Sequence, residues 1–203
     1  SGNATITMAN PPQAPMDLTL TITALNKVTY LGVVQVLPAT GPYLVVEGVS
    51  VTDNNNNIAE FGETINLGIT LNNVGSDPAV GTQIQITTAD QYVTILTSEE
   101  LVGDIAANAT GSTTTGFSMQ IHGNIPDQHM VPFTILISLT NGTTYEYDRS
   151  ITVNAPAFSW GGLQVSEIEG NGNDRVDPGE TLSITVPVTN AGHAGATNLN
   201  ATM

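Results

Sequence analysis

The stretch from residue 53 to residue 75 reads DNNNNIAEFGETINLGITLNNVG, and the stretch from 170 to 192 reads GNGNDRVDPGETLSITVPVTNAG. Aligned without a gap, both carry Gly-Glu at the same place, at 62 and at 179. Both also end in Asn-x-Gly, at 73 and at 190, so the two motifs recur 117 positions apart. Two motifs that repeat at one spacing indicate that a structural unit of this length is used twice.

Each copy has the same three parts, which predict a loop, a strand and a turn. A polar loop comes first, and Gly-Glu then opens a run of alternating apolar and polar residues. Side chains alternate across a strand, so such a run predicts one buried and one solvated face. The Asn-x-Gly end predicts a turn, because Asn bonds its own backbone and Gly adopts positive φ. The apolar positions are Ile65, Leu67, Ile69 and Leu71 in the first copy, and Leu182, Ile184, Val186 and Val188 in the second.

The composition favours a folded, acidic protein rich in strands. The 203 residues are 40% apolar and 10% charged, which leaves enough apolar material for a core. The net charge is −15, with Lys27, Arg149 and Arg175 as the only cations. Nucleic-acid binding needs clustered Lys and Arg, so no nucleic-acid partner is expected. No stretch is long enough for a membrane helix, so no membrane insertion is expected. The absence of Cys excludes disulfides, thiolate metal sites and thiol nucleophiles.

The order of strand and turn signals predicts an all-β chain of tandem immunoglobulin-like β-sandwich modules, one complete and two partial. Residues 1–37 are expected to form the back half of one module, and residues 38–42 a proline-containing linker. Residues 43–154 are expected to form a complete sandwich, and residues 155–203 the front half of a second copy of it. One hypothesis is that the partial modules complete each other between molecules by strand exchange.

Strand and turn signals can be placed along the whole chain. Asn141-Gly142 predicts a hairpin with a type I′ turn. Pro187 interrupts an alternating run and therefore predicts an edge strand or a bulge. Phe117, Met119, Phe133, Ile135, Ile137 and Leu139 are expected to form much of the core. The predicted strands are Ala4–Met8, Leu18–Leu25, Val28–Val36, Leu44–Val51, Thr64–Asn72, Thr82–Thr87, Tyr92–Leu96, Thr113–Ile121, Val131–Thr140 and Thr143–Val153.

The acidic loop that precedes each repeated strand is the candidate metal site. Calcium takes six to eight oxygen ligands and tolerates irregular geometry, and magnesium rarely uses an all-protein cage. The alternative is a turn without metal, because Asn and Asp side chains bond their own backbone. The candidate calcium ligands are Asp53, Asn55, Asn57, Glu60 and Glu63 in the first loop, and Asn171, Asn173, Asp174, Asp177 and Glu180 in the second.

Other polar residues give weaker signals. His122 and His129 flank Asp127, which suggests a zinc site or a triad with Ser118, but the spacing matches no ligand motif. These two and His193 are therefore interpreted as ordinary loop or strand-edge histidines. The acids Asp90, Glu99, Glu100 and Asp104 are interpreted as background in an acidic protein. Phe158 and Trp160 are expected to pack at a module junction, with a sugar-stacking platform as the alternative.

The run from residue 18 to residue 30, LTLTITALNKVTY, resembles the end of the immunoglobulin-like domain that follows the catalytic domain of gingipain-type cysteine peptidases of clan CD. The following GPYLVVEGVSVTD and GETINLGITLNNVGS runs resemble the next sandwich module in longer Bacteroidetes relatives. The resemblance implies a secreted or surface-anchored bacterial protein with an upstream His/Cys catalytic domain. No residue of that domain lies in this sequence, so no catalytic residue is carried over and the chain itself is not expected to be an enzyme.

Two functions therefore remain open. The first is a non-catalytic spacer and stabilising region of such a peptidase, which contacts the upstream domain and also adheres to a surface or protein ligand. The alternative is an independent adhesin or carbohydrate-binding module. An exposed aromatic platform, formed by Trp160 with Tyr145 or Tyr147, would favour the alternative, and burial of those rings would count against it.

Overall fold

The structure is a computed structural model that describes residues 5–8, 12, 15–38, 40–173, 175–197 and 199–200. All regular elements in these ranges are strands, so the predicted all-β class is confirmed. The strands are β1 (Met16–Ile22), β2 (Tyr30–Val36), β3 (Leu44–Thr52), β4 (Thr64–Asn73), β5 (Ala79–Thr87), β6 (Val93–Ile95), β7 (Glu99–Ile105), β8 (Thr110–Ser112), β9 (Phe117–Ile121), β10 (His129–Ser138), β11 (Thr144–Val153), β12 (Phe158–Trp160), β13 (Gln164–Glu169), β14 (Thr181–Thr185) and β15 (Val188–Asn190).

Two antiparallel sheets form a sandwich within residues 43–154, which we call the central unit. One sheet has the order β3-β4-β9-β6, with β8 also paired to β4, and the other has the order β11-β10-β5-β7. The alternation predicted for β4 is confirmed, because Ile65, Leu67, Ile69 and Leu71 are buried and the polar side chains between them are not. The last residue of the strand, Asn73, is a buried polar side chain. The core between the sheets includes every residue expected there, namely Phe117, Met119, Phe133, Ile135, Ile137 and Leu139. Full burial of each such side chain stabilises the fold by about 1.5–3 kcal/mol.

Two strands of the central unit and one turn differ from the sequence prediction. β7 and β8 were not predicted, because β7 begins with two glutamates and β8 has only three residues. The β10–β11 turn contains Gly142 at φ 86°, whereas Asn141 is not at positive φ. A type I′ turn needs positive φ at both central residues, so that prediction is wrong. The Gly142 N–H donates to the Leu139 carbonyl at 3.0 Å, as in a type I turn followed by a left-handed glycine.

One side of the sandwich is closed by side chains of β11 that donate to backbone carbonyls of β3 and of Pro42, which lies just before it. Tyr145 Oη lies 2.8 Å from the Pro42 carbonyl and Tyr147 Oη lies 2.5 Å from that of Leu44. Arg149 donates to the Val46 carbonyl at 3.4 Å. Burial raises the pKa of Tyr147 to about 12, so its hydroxyl remains a donor at every physiological pH. These bonds satisfy carbonyls on an edge strand that would otherwise be open.

The flanking segments form small separate sheets. The N-terminal hairpin pairs β1 with β2, and the C-terminal unit, defined as residues 155–200, pairs β12 with β15 and β13 with β14. Residues 5–8 form no strand, so the strand predicted there is wrong; Ala4, its first residue, lies outside the described ranges. Pro187 separates β14 from β15, in agreement with its predicted disruption of the strand. Trp160 is 74% exposed, so the prediction that it packs at a junction is wrong.

Candidate functional site: the acidic loops and the joints between units

The first acidic loop folds around the carboxylate of Asp53. Its Oδ1 accepts the backbone N–H groups of Asn55 at 2.7 Å and Asn57 at 3.0 Å. These bonds, that of Asn57 first, lower the pKa of Asp53. Asn57 has φ 60°, a left-handed conformation that Asn tolerates better than most residues. The Asn run therefore forms the local side-chain-to-backbone turn that such runs favour.

The same loop contains two carboxylate oxygens that this turn does not use. Asp53 Oδ2 and Glu63 Oε2 are both buried and have no hydrogen-bond partner. Burial raises the pKa of Glu63, and the negative charges of Asp53 and Glu60 raise it further. Unpartnered buried oxygens on two mutually repelling carboxylates are the arrangement that a bound cation would stabilise.

The other predicted ligands of this loop are engaged elsewhere. The Asn56 side chain donates to Glu60 at 3.2 Å, and the Asn57 amide oxygen accepts the Asp53 N–H at 3.3 Å. The Asn55 side chain lies close enough to Glu63 to lower its pKa, against the effect of burial. Within the described ranges, no three His, Asp or Glu side chains converge as a metal-binding group. A cation here would therefore rely on two carboxylates, an amide and the backbone, a donor set that calcium accepts.

The second acidic loop is held by Glu180 and Asp177. Glu180 accepts the N–H groups of Asn171 at 3.3 Å and of Asp177 at 2.9 Å. Asp177 accepts the amide groups of Asn173 at 2.8 Å and Asn171 at 3.0 Å, which lower its pKa. Four of the five predicted ligands thus lie together, and the fifth, Asp174, lies outside the described residues.

A residue that the sequence comparison missed, Glu167, occupies the place of Asp53 in the second loop. Val51 pairs with Leu67 in the first copy, and Val165 pairs with Ile184 in the second. Two residues beyond each valine come Asp53 and Glu167 respectively. Each accepts loop N–H groups with one oxygen, Glu167 from Gly172 at 2.8 Å, and each keeps a buried oxygen without a partner.

The gapless alignment therefore has the wrong register in this loop. It places Asp53 on Gly170, whereas the second loop is three residues longer. A Cβ at Gly170 would lie 2.1 Å from Glu167 Oε1 and 2.6 Å from Glu180 Oε1. The missing side chain leaves room for both carboxylates to approach the same backbone. Counting along the paired strands rather than the loop would have found Glu167.

The predicted Asn-x-Gly turns hold the proline-containing segment that precedes each unit. Asn73 is fully buried, and its Oδ1 accepts the N–H groups of Tyr43 and Gly75, both at 3.1 Å. Its amide donates to the carbonyls of Asp77 at 2.9 Å and Ile105 at 3.0 Å. One side chain thus joins the linker, the turn and β7.

Asn190 repeats this arrangement in the C-terminal unit. It accepts from Ala157 and Gly192, both at 3.0 Å, and donates to the Ala194 carbonyl at 2.8 Å. A Cβ on Gly192 would lie 2.3 Å from the Ala155 carbonyl oxygen, and one on Gly75 would lie 2.4 Å from that of Gly41. Both glycines are therefore required by the close approach of the linker backbone.

The histidines pair with aspartates that the sequence did not suggest. His129 contacts Asp90 at 2.7 Å, and Asp127 contacts His193 at 2.7 Å. His122 bonds the Thr94 hydroxyl at 3.0 Å. Asp127 therefore does not join His122 and His129 in one site, and each of the three histidines has a structural contact.

The remaining acids also bond neighbouring loops. Burial raises the pKa of Glu100, but donors from Thr114, Thr115 and Gly116 outweigh it and lower the pKa overall. Four hydrogen bonds from these residues end on the two Glu100 oxygens. Asp104 accepts the Gly81 N–H at 2.7 Å. Glu99 accepts the amides of Gln83 and Gln85.

No family model matches the chain, and no curated protein matches it significantly. Among solved structures, it is similar to the YadV chaperone at 12% identity and a TM-score of 0.30, covering 74% of this chain and 88% of that one. It is also similar to a DUF4466 family protein from Parabacteroides merdae ATCC 43184, at 13% identity and a TM-score of 0.24, covering 64% of this chain and 50% of that one. Superpositions of this quality do not establish a shared fold. In the described ranges, no helix is long and apolar enough to cross a membrane.

Proposed function

We propose that this chain is a non-catalytic spacer and stabilising region, built from immunoglobulin-like modules, of a secreted or surface-located gingipain-like cysteine peptidase. Its partner is the upstream peptidase domain of the same parent chain, and a surface or protein ligand is the second partner. The observation that carries the proposal is that the joint, meaning the connection between one unit and the next, is built in the same way twice. Asn73 and Asn190 hold the segments that contain Pro42 and Pro156 with matching hydrogen bonds, which is what units placed in series by a fixed connection require.

The way in which polar groups are used also supports a structural role. The carboxylates of Asp90, Glu100, Asp104 and Asp127 accept hydrogen bonds from loop backbone or from histidine. A carboxylate used in this way stabilises a loop, which is the use expected of acids in a structural module. The resemblance of the LTLTITALNKVTY run to gingipain-type peptidases is the basis for the proposed parent protein. The hydrogen-bonded joints between units are the basis for the proposed mechanical role.

Small-angle X-ray scattering tests the spacer role directly. A compact domain of this length would have a radius of gyration of about 17 Å. Units arranged in series should give a clearly larger value that does not change with protein concentration. A value near 17 Å would contradict the proposal. A concentration-dependent increase would indicate the strand exchange between partial modules that the sequence suggested.

Calcium is the ion that this proposal assigns to the acidic loops, where it would stiffen the segment beside each joint. The support is that unpartnered buried carboxylate oxygens occur at equivalent places in both loops, on Asp53 and Glu63 in one and on Glu167 in the other. A feature that recurs in two loops of different length is better explained by a shared ligand than by an accident of one turn. Calorimetry with and without calcium tests this assignment.

A second candidate function, carbohydrate or protein adhesion, has one observation in its favour. Trp160 is 74% exposed and Phe158 is 46% exposed, and they occupy alternate positions of β12. Tyr145 and Tyr147 are half-buried against the core and their hydroxyls donate to backbone carbonyls, which counts against their part in such a platform. A glycan array probed with the wild-type protein and with Trp160→Ala decides between the roles. Binding that the variant loses favours adhesion, and no binding by either protein favours the spacer.

A further inference from the structure

At the joint between the central unit and the C-terminal unit, the backbone of Ala155 is hydrogen-bonded through both its N–H and its carbonyl. The Ala155 N–H donates to Asp127 Oδ1 of the central unit at 3.0 Å. The carbonyl of the same residue accepts the N–H groups of His193 at 3.1 Å and Ala194 at 3.3 Å in the C-terminal unit. Ala155 is 2% exposed and Ala194 is 5% exposed. One buried residue is therefore bonded to the units on both of its sides.

Asp127 also reaches past the linker and contacts the C-terminal unit directly. Its Oδ1 accepts the His193 N–H at 3.1 Å, and its Oδ2 lies 2.7 Å from His193 Nδ1. Three donors thus converge on one carboxylate from residues far apart in the sequence. Hydrogen bonds to an ionised acceptor are about twice as strong as neutral ones. Next to Asp127, the Gln128 side chain bonds Asn154 at 2.6 Å and holds the end of the central unit.

The joint before the central unit is built differently. The Gly41 N–H donates to the Ser76 hydroxyl at 3.1 Å, and its carbonyl accepts the Ser76 N–H at 2.9 Å. Both bonds end on the central unit, and Ser76 stands at the position that His193 has in the second copy. Among the described residues, no hydrogen bond connects the N-terminal hairpin to the central unit. This joint lacks the cross-connection that Asp127 makes at the other.

We propose that Asp127, Ala155 and His193 form a clasp, here called the Asp127 clasp, that holds the C-terminal unit and the central unit in one fixed orientation. The N-terminal hairpin is attached without such a clasp and changes its orientation relative to the central unit. The chain therefore has one rigid and one flexible joint. The functional meaning of this difference rests on the spacer role. In a spacer, the rigid joint fixes the orientation of the C-terminal unit relative to the central unit, whereas the flexible joint leaves the orientation of the N-terminal hairpin free.

The experiment uses the absence of Cys, which makes two introduced cysteines the only labelling sites. Spin labels at Thr144→Cys and Thr185→Cys, both exposed positions, span the clasped joint. Labels at Thr144→Cys and Thr21→Cys span the other joint and serve as an internal reference. Pulsed electron paramagnetic resonance then gives a distance distribution for each pair.

The first pair is expected to give a distribution at least about twofold narrower than the second. Asp127→Ala should widen the first distribution by about twofold and leave the second unchanged. His193→Ala, which removes only the ring contact, should widen it less. Asp148→Ala is the matched control, because this exposed carboxylate accepts a hydrogen bond from the Thr134 hydroxyl and from no other residue that the structure describes. It should change neither distribution.

Two outcomes overturn the proposal. One is a wild-type distribution across the clasped joint that is as wide as the reference. The other is an unchanged distribution in both Asp127→Ala and His193→Ala. Trp160, the only tryptophan, reports whether the C-terminal unit is folded in each variant. If Asp127→Ala unfolds the central unit, the exposed His193 still allows the ring contact to be tested alone. The distance distributions test the clasp, whereas the radius of gyration and the glycan array test the spacer role. Failure of one proposal can therefore be distinguished from failure of the other.

Discussion

The central unit and the C-terminal unit have the same local hydrogen bonds but very different burial. Asn73 and Asn190 accept the same pair of backbone N–H groups at nearly equal distances. Leu67 is fully buried, whereas Ile184, at the same place in the second copy, is 40% exposed. The comparison teaches that a short motif fixes a turn and a joint by itself, whereas burial of the neighbouring strand requires a second sheet.

The largest effect is expected where burial differs most. Leu67→Ala removes a fully buried side chain and should lower the free energy of unfolding of the central unit by about 2–5 kcal/mol. Ile184→Ala should cost less than about 1 kcal/mol, because much of that side chain is already in water. Urea unfolding followed by circular dichroism and by Trp160 fluorescence separates the two units. Equal costs at the two positions would contradict the comparison.

A smaller effect is expected for the two asparagines. Asn73→Ala leaves buried donors and acceptors unpaired and should cost about 1–3 kcal/mol in the central unit. Asn190→Ala removes the same kind of bonds at an exposed site, where water replaces them, and should cost about 1 kcal/mol or less. The ratio of the two costs is the quantity to measure. A larger loss of unfolding free energy for Asn190→Ala than for Asn73→Ala would show that this motif contributes more to the joint than to the core.

The smallest effect concerns the acidic loops and calcium. A tenfold excess of calcium over its dissociation constant should stabilise the wild-type protein by about 1.4 kcal/mol for each occupied loop. Glu63→Gln should abolish this gain at the first loop, and Glu180→Gln at the second, whereas Glu146→Gln, an exposed change on β11, should retain it. Calorimetry with and without calcium measures all four proteins. No gain in the wild-type protein at millimolar calcium would reject the ion.

The pH dependence of the metal-free protein tests the same loop. The pKa of Glu63 is raised above its ordinary value of 4.5 in the folded state. A raised carboxyl pKa means that its proton stabilises the fold below the unfolded pKa, and that this contribution is lost as pH rises through the folded pKa. The wild-type protein should therefore lose stability above pH 4.5 more steeply than Glu63→Gln. Calcium should remove the difference between their pH profiles.

Alternation and turn chemistry predicted most of the sandwich from the sequence. β4, β10 and β11 have the bounds expected to within two residues, and their apolar positions form the core. β7 was missed because Glu99 and Glu100 at its start interrupt any alternation, and the structure uses both carboxylates in hydrogen bonds to other segments. Such long-range bonds leave no periodic signal along the chain.

The acidic loops show the same limit at the level of single residues. The turn around Asp53 could be expected from the sequence because its bonds are local, within four residues, whereas calcium binding by this loop stays a prediction. Glu167 was missed because it belongs to the strand before the loop, and a loop of different length hides the equivalence. The contact between Asp127 and His193 joins residues that become neighbours only when two units meet. Sequence alone gives no signal for such a contact.

The bonds from β11 to the β3 edge have a consequence for biosynthesis. Pro42, Leu44 and Val46 each receive a donor that lies 103 residues later in the chain. Domains fold as they emerge from the ribosome, N-terminal segments first. These three carbonyls must therefore lack their hydrogen-bond donors until Tyr145, Tyr147 and Arg149 have been translated. A nascent chain that stalls before these three residues would expose an unpaired edge strand, to which neighbouring polypeptides could hydrogen-bond.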